Sequence, residues 1–226
     1  MKYPANSKYT MLMTSLPSHK KDLFDEKQLP LSRIQLDKRL SLLELQDAAD
    51  LLKIEELLHW SQIKKDIDQL FVNQTIESIK TINNQFIKNI IIWRLELRII
   101  LAALRMRNLG QKTPPAKKIF GFDYWYFIMT KNWHLADFGL SKQLPWLPEA
   151  NELLIANKPM KLERLLFSVV WEHYHRQSFG HYFNFEAVVI YVLRWDIVSR
   201  WSGNNKEMAV KRFNDLLDKQ LLKIEL

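Results

Sequence analysis

WRLELRIILAALRMRNLG, residues 93–110, is the stretch on which the fold turns. Apart from its arginines and Glu96 it is mostly apolar, with Leu95, Leu97, Ile99, Ile100, Leu104 and Met106 on two opposite sides at 100° per residue, which predicts a largely buried helix. The run closes as a helix should. Arg105 and Arg107 favour the negative end of the helix dipole, and Gly110 supplies a residue that can turn left-handed just past the end. Working backwards, the same helical run extends over 66–109 with an expected break near Asn83–Asn84. On it Arg94, Arg98 and Arg105 fall within roughly 40° of one another. A guanidinium stripe on a buried helix must find acceptors: carboxylates of its own fold, acidic groups of a partner, or carbonyls at a neighbouring helix end.

Outward from this stretch, the segment QKTPPAKK, residues 111–118, is the clearest punctuation in the chain, because Pro114 and Pro115 cannot continue a helix. It predicts a linker between two helical regions, 1–113 and 119–226, which can still pack as one domain. Upstream, YTMLMTSL (9–16) reads as a short strand or extended segment bounded by Pro17. From Ser32 the pattern turns helical, with Leu36, Leu40 and Leu43 spaced by four and three. Asp47 reads as an N-cap for a second helix carrying Leu51, Ile54, Leu57 and Leu58 on one face.

Downstream, short helices are expected in the aromatic-rich segment 121–133 and after Pro148. Longer ones are expected at 160–177 and 184–201, joined near Gly180. The segment FNFEAVVIYVLRWDIVSRW, residues 183–201, is apolar on nearly every side and reads as a central core helix. Asp196 and Arg200 on it have the spacing of an ion pair. An amphipathic helix over 205–222, with Val210, Phe213, Leu216, Leu217 and Leu221 on one face, ends the chain. The expected class is therefore all-α: a bundle or array of helical hairpins with a short extended N-terminal segment.

Composition narrows the function. The 226 residues are 47% apolar, enough for a sizeable core, and hold only 5 glycines against 8 tryptophans and 12 phenylalanines. Few glycines disfavour phosphate-cradling loops and turn-dense β folds, and many large aromatics suit wide helix-to-helix contacts. With no cysteine, disulfides, thiol catalysis and cysteine metal sites are excluded. The N-terminus lacks the apolar run of a signal peptide. The most apolar stretch, 86–109, is cut by Lys88, Arg94, Glu96, Arg98, Arg105 and Arg107, so a soluble cytoplasmic protein is expected.

Net charge is +8, and between Arg94 and Lys118 seven Lys or Arg face a single Glu. Such a cluster suits an acidic protein, a polyanion or an anionic membrane surface. The aromatics lie at core-like helical spacing rather than beside the basic track, which speaks against nucleic acid.

Catalytic patterns are lacking. His173 and His175 in WEHYH are two apart and point to different helix faces; HExxH, GxSxG, GxGxxG and GxxxxGK[ST] do not occur. His19, His59, His134 and His181 form no ligand spacing either. No catalytic residue, metal or cofactor is expected.

Several of these segments resemble a known family. WRLELRIILAALRMRNLG, with Glu96, Arg98, Arg105 and Gly110 as matching positions, is similar to a recurring element of the C-subunit of rotary V-type (A/V-type) ATPases. The segment 183–201 followed by an amphipathic helix is similar to the C-terminal end of that protein. The whole chain looks closer to bacterial C-subunit-like proteins encoded with V-type ATPase genes, through YTMLMTSLP (9–17), LPLSRIQLDKRLSLLE (29–44), LPWLPEA (144–150) and LERLLFSVVW (162–171), in that order.

The resemblance implies a non-catalytic helical adaptor that couples the central rotor shaft to the membrane rotor ring for proton or sodium transport. It implies a peripheral position at the inner membrane, and the other ATPase subunits as partners. Arg94, Arg98, Arg105, Lys117 and Lys118 would be the partner contacts. The chain departs from the family in being shorter than a full C-subunit, and in carrying Ser199–Arg200 where an Asn–Arg pair is usual. A free-standing helical adaptor and a basic nucleic-acid binder are the alternatives.

Overall fold

A computed structural model describes residues 7–26, 28–58, 76–112, 114 and 123–203. The described residues are mainly helical and contain no strand. In chain order the helices are α1 (Thr10–Ser15), α2 (Arg33–Leu40), α3 (Leu45–Leu58), α4 (76–81), α5 (Gln85–Asn108), α6 (Asp123–Lys131), α7 (Leu147–Ile155), α8 (Pro159–Gln177) and α9 (185–203). None of them is long and apolar enough to cross a membrane.

Packing groups the chain into two compact units. One combines Met1–Leu43 with Tyr174–Leu226, and the other is Glu44–His173. The expected linker at 111–118 falls within the span of the second unit. Residues 113 and 115–118 of it lie outside the described residues, as does the amphipathic segment 205–222.

In the first unit α9 is the core element. Val188, Val189, Val192, Ile197 and Val198 are buried together with Tyr191 and Trp195. The expectation of a central helix is met because apolar side chains on all sides leave it no face to show to water. The segment at 9–16, expected to be extended, is instead helical. Tyr9, Leu12 and Leu16 are its buried positions, and their spacing of three and four belongs to a helix, not a strand.

Hydroxyls close the short α1 locally. Thr10 Oγ1 donates to the Ser7 carbonyl at 2.8 Å, Thr14 Oγ1 to Thr10 at 2.8 Å and Ser15 Oγ to Leu12 at 2.7 Å. Leu16 is then forced into extended backbone, ψ 131°, by Pro17. Helix α2, which packs on α1, opens with a capping box. Ser32 Oγ accepts from Gln35 N while the Gln35 side chain accepts from Ser32 N.

The chain between α1 and α2 is fastened to α9 through its backbone carbonyls. Tyr191 Oη donates to Pro17 O at 2.9 Å, Arg194 Nη2 to Lys20 O at 3.2 Å and Trp195 Nε1 to Leu31 O at 2.9 Å. His19 Nε2 lies 3.2 Å from the Tyr191 carbonyl, which can only accept, so that nitrogen carries the ring proton. Three of these donors come from consecutive turns of α9 and hold a loop that has no ladder of its own.

In the second unit α3 and α7 pack on α5. Asp47 sits inside the first turn of α3, not ahead of it: the helix begins at Leu45, and Ala48 N bonds to Glu44 O at 2.8 Å. Leu51, Ile54 and Leu58 are buried as their spacing predicts. The break expected near Asn83–Asn84 is real. Asn84 Oδ1 caps α5 by accepting from Ile87 N at 3.2 Å. At the other end the Gly110 N–H reaches Arg107 O and the Gln111 N–H reaches Met106 O, the two bonds of a Schellman motif, with Gly110 at φ +89°.

Candidate functional site

Helix α5 carries the basic stripe, and its burial changes along its length. Arg94 is 1% exposed, which leaves its side chain no open surface to offer a partner. Flanked by Ile90, Ile91, Leu95 and Leu97, all buried, it occupies the thick part of the core. Arg98 reaches across to α3, where Nη1 donates to Leu57 O at 3.3 Å and Nη2 to Leu58 O at 2.6 Å. The last carbonyls of a helix lack intrahelical donors and sit at its negative end, so a guanidinium satisfies both needs. Arg98 is thereby a fold contact. Arg105, one turn from the helix end, is exposed. Lys117 and Lys118 lie outside the described residues. Of the five expected contacts, the structure leaves Arg105 as the one described at the surface.

Glu96, on the same helix, is half-buried and hydrogen-bonded by the Trp125 side chain of α6. Burial raises its carboxyl above the ordinary value, and the indole N–H partly offsets that. Trp93 lies flat on His173, with ring centroids 3.5 Å apart and planes 2° apart, so one histidine of WEHYH serves as a stacking surface. Among the described residues no group of three His, Asp or Glu is placed to hold a metal ion.

The C-terminal end of α5 is braced by Arg107, which the helical pattern alone marks only as a partner of the dipole. Its Nη1 donates to Leu135 O at 2.7 Å and its Nη2 to Asn151 Oδ1 at 3.1 Å, and the guanidinium lies 5.6 Å from the Phe138 ring centroid. Asn151, on α7 and buried, also accepts from Asn108 Nδ2 at 3.3 Å. Trp133 Nε1 donates to Gln111 O at 2.8 Å, closing the turn after the helix.

Burial pushes the Arg107 guanidinium down from its ordinary value, and the neighbouring Asp137 opposes that shift. Asp137 is itself held below the usual carboxylate range by the Gly139 N–H and the Ser141 hydroxyl. Gly139, φ +70°, takes a left-handed conformation at this point of the loop. A sequence signal did exist for this knot: an Arg at i+2 from Arg105 points to a different face, and so toward a different partner.

The result is a stiff helix end with an outward face. Arg105 and Leu109, the latter 84% exposed, stand on the solvent side immediately ahead of the basic run Lys112–Lys118. Chemically this face can supply cations and apolar contact to an acidic surface.

A family model described as a protein of unknown function (DUF2764) matches residues 4–224. No curated protein and no solved structure gives a significant match.

Proposed function

We propose that this chain, which belongs to the DUF2764 family, is a non-catalytic, C-subunit-like component of a rotary V-type ATPase. It would couple the central rotor shaft to the membrane ring during proton or sodium transport, with a peripheral position at the membrane. The observation that carries the reading is the set of elements resembling C-subunit-like proteins, from YTMLMTSLP to WRLELRIILAALRMRNLG and LERLLFSVVW, occurring in order along one chain.

Two features of the fold are compatible with it. A torque-transmitting adaptor needs stiffness, which close packing of large side chains supplies: Trp171, Tyr174, Phe138 and Phe167 are among the most deeply buried groups. It also needs docking surface, and the end of α5 offers Arg105 and Leu109 beside the basic segment.

The test is affinity purification of the tagged chain from its native cell, at low and moderate salt. The reading expects ATPase subunits among the co-purifying proteins, and loss of at least most of that recovery in Lys117→Glu/Lys118→Glu. Recovery of unrelated proteins alone would favour a free-standing adaptor. Retention of nucleic acid with a steep salt dependence would favour the polyanion reading.

A further inference from the structure

The turn between α8 and α9 carries the densest exposed aromatic cluster among the described residues. Within FGHYF, residues 179–183, Phe179 is 69% exposed, Tyr182 64% and Phe183 37%. A turn that displays three aromatics without folding them inward must be held by its backbone, and this one is. Ser178 N and His181 N bond back to Tyr174 O and Ser178 O. Gly180 takes φ +86°, and a Cβ built there would meet nothing within 4 Å, as expected at the apex of a protrusion.

At its far end Asn184 is buried and caps α9, accepting from Ala187 N at 3.1 Å through Oδ1. That bond fixes the amide, so Nδ2 faces His181 Nδ1 at 2.8 Å and the ring nitrogen accepts. Phe183 O receives Tyr9 N at 2.7 Å. The aromatics are therefore displayed on a preorganised support, at little ordering cost on binding.

Within the turn itself the charge has one sign, with Glu172 and Glu186 lying just outside it. From residue 173 to residue 185 there is no Asp or Glu. Arg176, exposed in the last turn of α8, and Lys8, exposed beside Tyr9, flank the aromatics. A five-residue exposed turn offers far less by itself than the roughly 800 Å² per partner of a stable protein interface. It is well shaped to enter a deformable surface, where Phe sits at the acyl boundary, Tyr keeps its hydroxyl wet, and Lys or Arg meets anionic headgroups.

We infer that the 179–183 turn, with Lys8 and Arg176, is a membrane-surface anchor that inserts its aromatics at the interface of an anionic bilayer. This deepens the peripheral placement proposed above and rests on that part of the reading alone.

The absence of native cysteine makes the test clean. The full chain carrying Tyr182→Cys is labelled with an environment-sensitive fluorophore, and Lys38→Cys, at an exposed position of α2, serves as the control. Vesicles of phosphatidylcholine with about one third phosphatidylglycerol are titrated in, alongside pure phosphatidylcholine. The expected result is a blue shift at 182 and none at 38, strongest with the anionic vesicles. In co-sedimentation, Phe179→Ser/Tyr182→Ser should partition about tenfold less.

A silent label at 182, or equal sedimentation of the double variant, overturns the anchor. A shift elicited by an acidic protein and not by vesicles overturns it in favour of protein docking. No ATPase subunit is present in this assay, so failure here leaves the rotor coupling to be judged by the co-purification.

Discussion

At the scale of single residues, polar groups inside the fold supply several of its anchors and one titration that stability should follow. His19, held in the loop that α9 fastens, is lowered from 6.5 to about 4 by burial, with the Arg194 charge adding to the effect. The folded state resists protonating the ring while the unfolded chain takes the proton near 6.5. The stability tied to neutral His19 is thus complete above that pH and is lost as pH falls toward 4, with a slope of at most about 1.4 kcal/mol per pH unit. His19→Gln keeps a donor for Tyr191 O and removes the titration. Urea unfolding at pH 7, 6 and 5 should show a shallower decline for the variant than for the parent chain, and parallel curves would contradict this assignment.

Arg107 makes a second case. Arg107→Met retains much of the aliphatic stem but removes the donors to Leu135 O and Asn151 Oδ1. The expected loss is about 2 kcal/mol, read as a lower urea midpoint at unchanged m-value.

At the scale of elements, helix ends were the most legible feature, because they depend on neighbours in sequence. Gly110 follows the last apolar turn of α5 and closes the Schellman motif, as its position predicts. With nothing within 4 Å of an added Cβ, Gly110→Ala carries only the cost of a left-handed backbone, about 1 kcal/mol, and Gly110→Asn less than that. Thermal unfolding followed by circular dichroism should place the parent highest, Gly110→Asn next and Gly110→Ala lowest; an Ala variant as stable as the parent would remove the assignment.

Helix α1 was the element that pattern misassigned. Eight residues with apolar side chains at 9, 11, 12, 13 and 16 satisfy an extended or a helical pattern about equally, and only burial shows that 9, 12 and 16 form the inward set. The Ser32–Gln35 capping box was readable from Ser-x-x-Gln and identifies the start of α2 without reference to anything distant.

At the scale of the whole molecule, the described packing groups Glu44–His173 as a unit of its own. Its core, centred on α5 with α3 and α7, includes Ile54, Leu58, Ile90, Leu104, Leu147 and Ala150, all from within that span. A fragment of residues 44–173 is therefore expected to unfold cooperatively, with a sigmoidal urea transition. A gradual, non-cooperative loss of ellipticity would show that it depends on the remaining segments. By the same logic residues 1–43 alone should stay unfolded, since Leu12, Leu31 and Leu36 share a unit with α9, more than a hundred residues away.

What the sequence determined by itself was local: that the chain is helical, where α5 and α9 run, and how the end of α5 is closed. Those properties follow from periodicity, caps and breakers acting over a few residues. Tertiary structure alone decided the fate of the arginines that the sequence placed on one face. Arg94 went into the core, Arg98 went to carbonyls forty residues back, and Arg105 stayed in solvent. A helical wheel gives a direction but not what stands in that direction, and the depth of each turn is set by elements that periodicity cannot bring together. The same holds for the exposed turn at 179–183, whose aromatics look like core residues in the sequence until the chain around them leaves them outside.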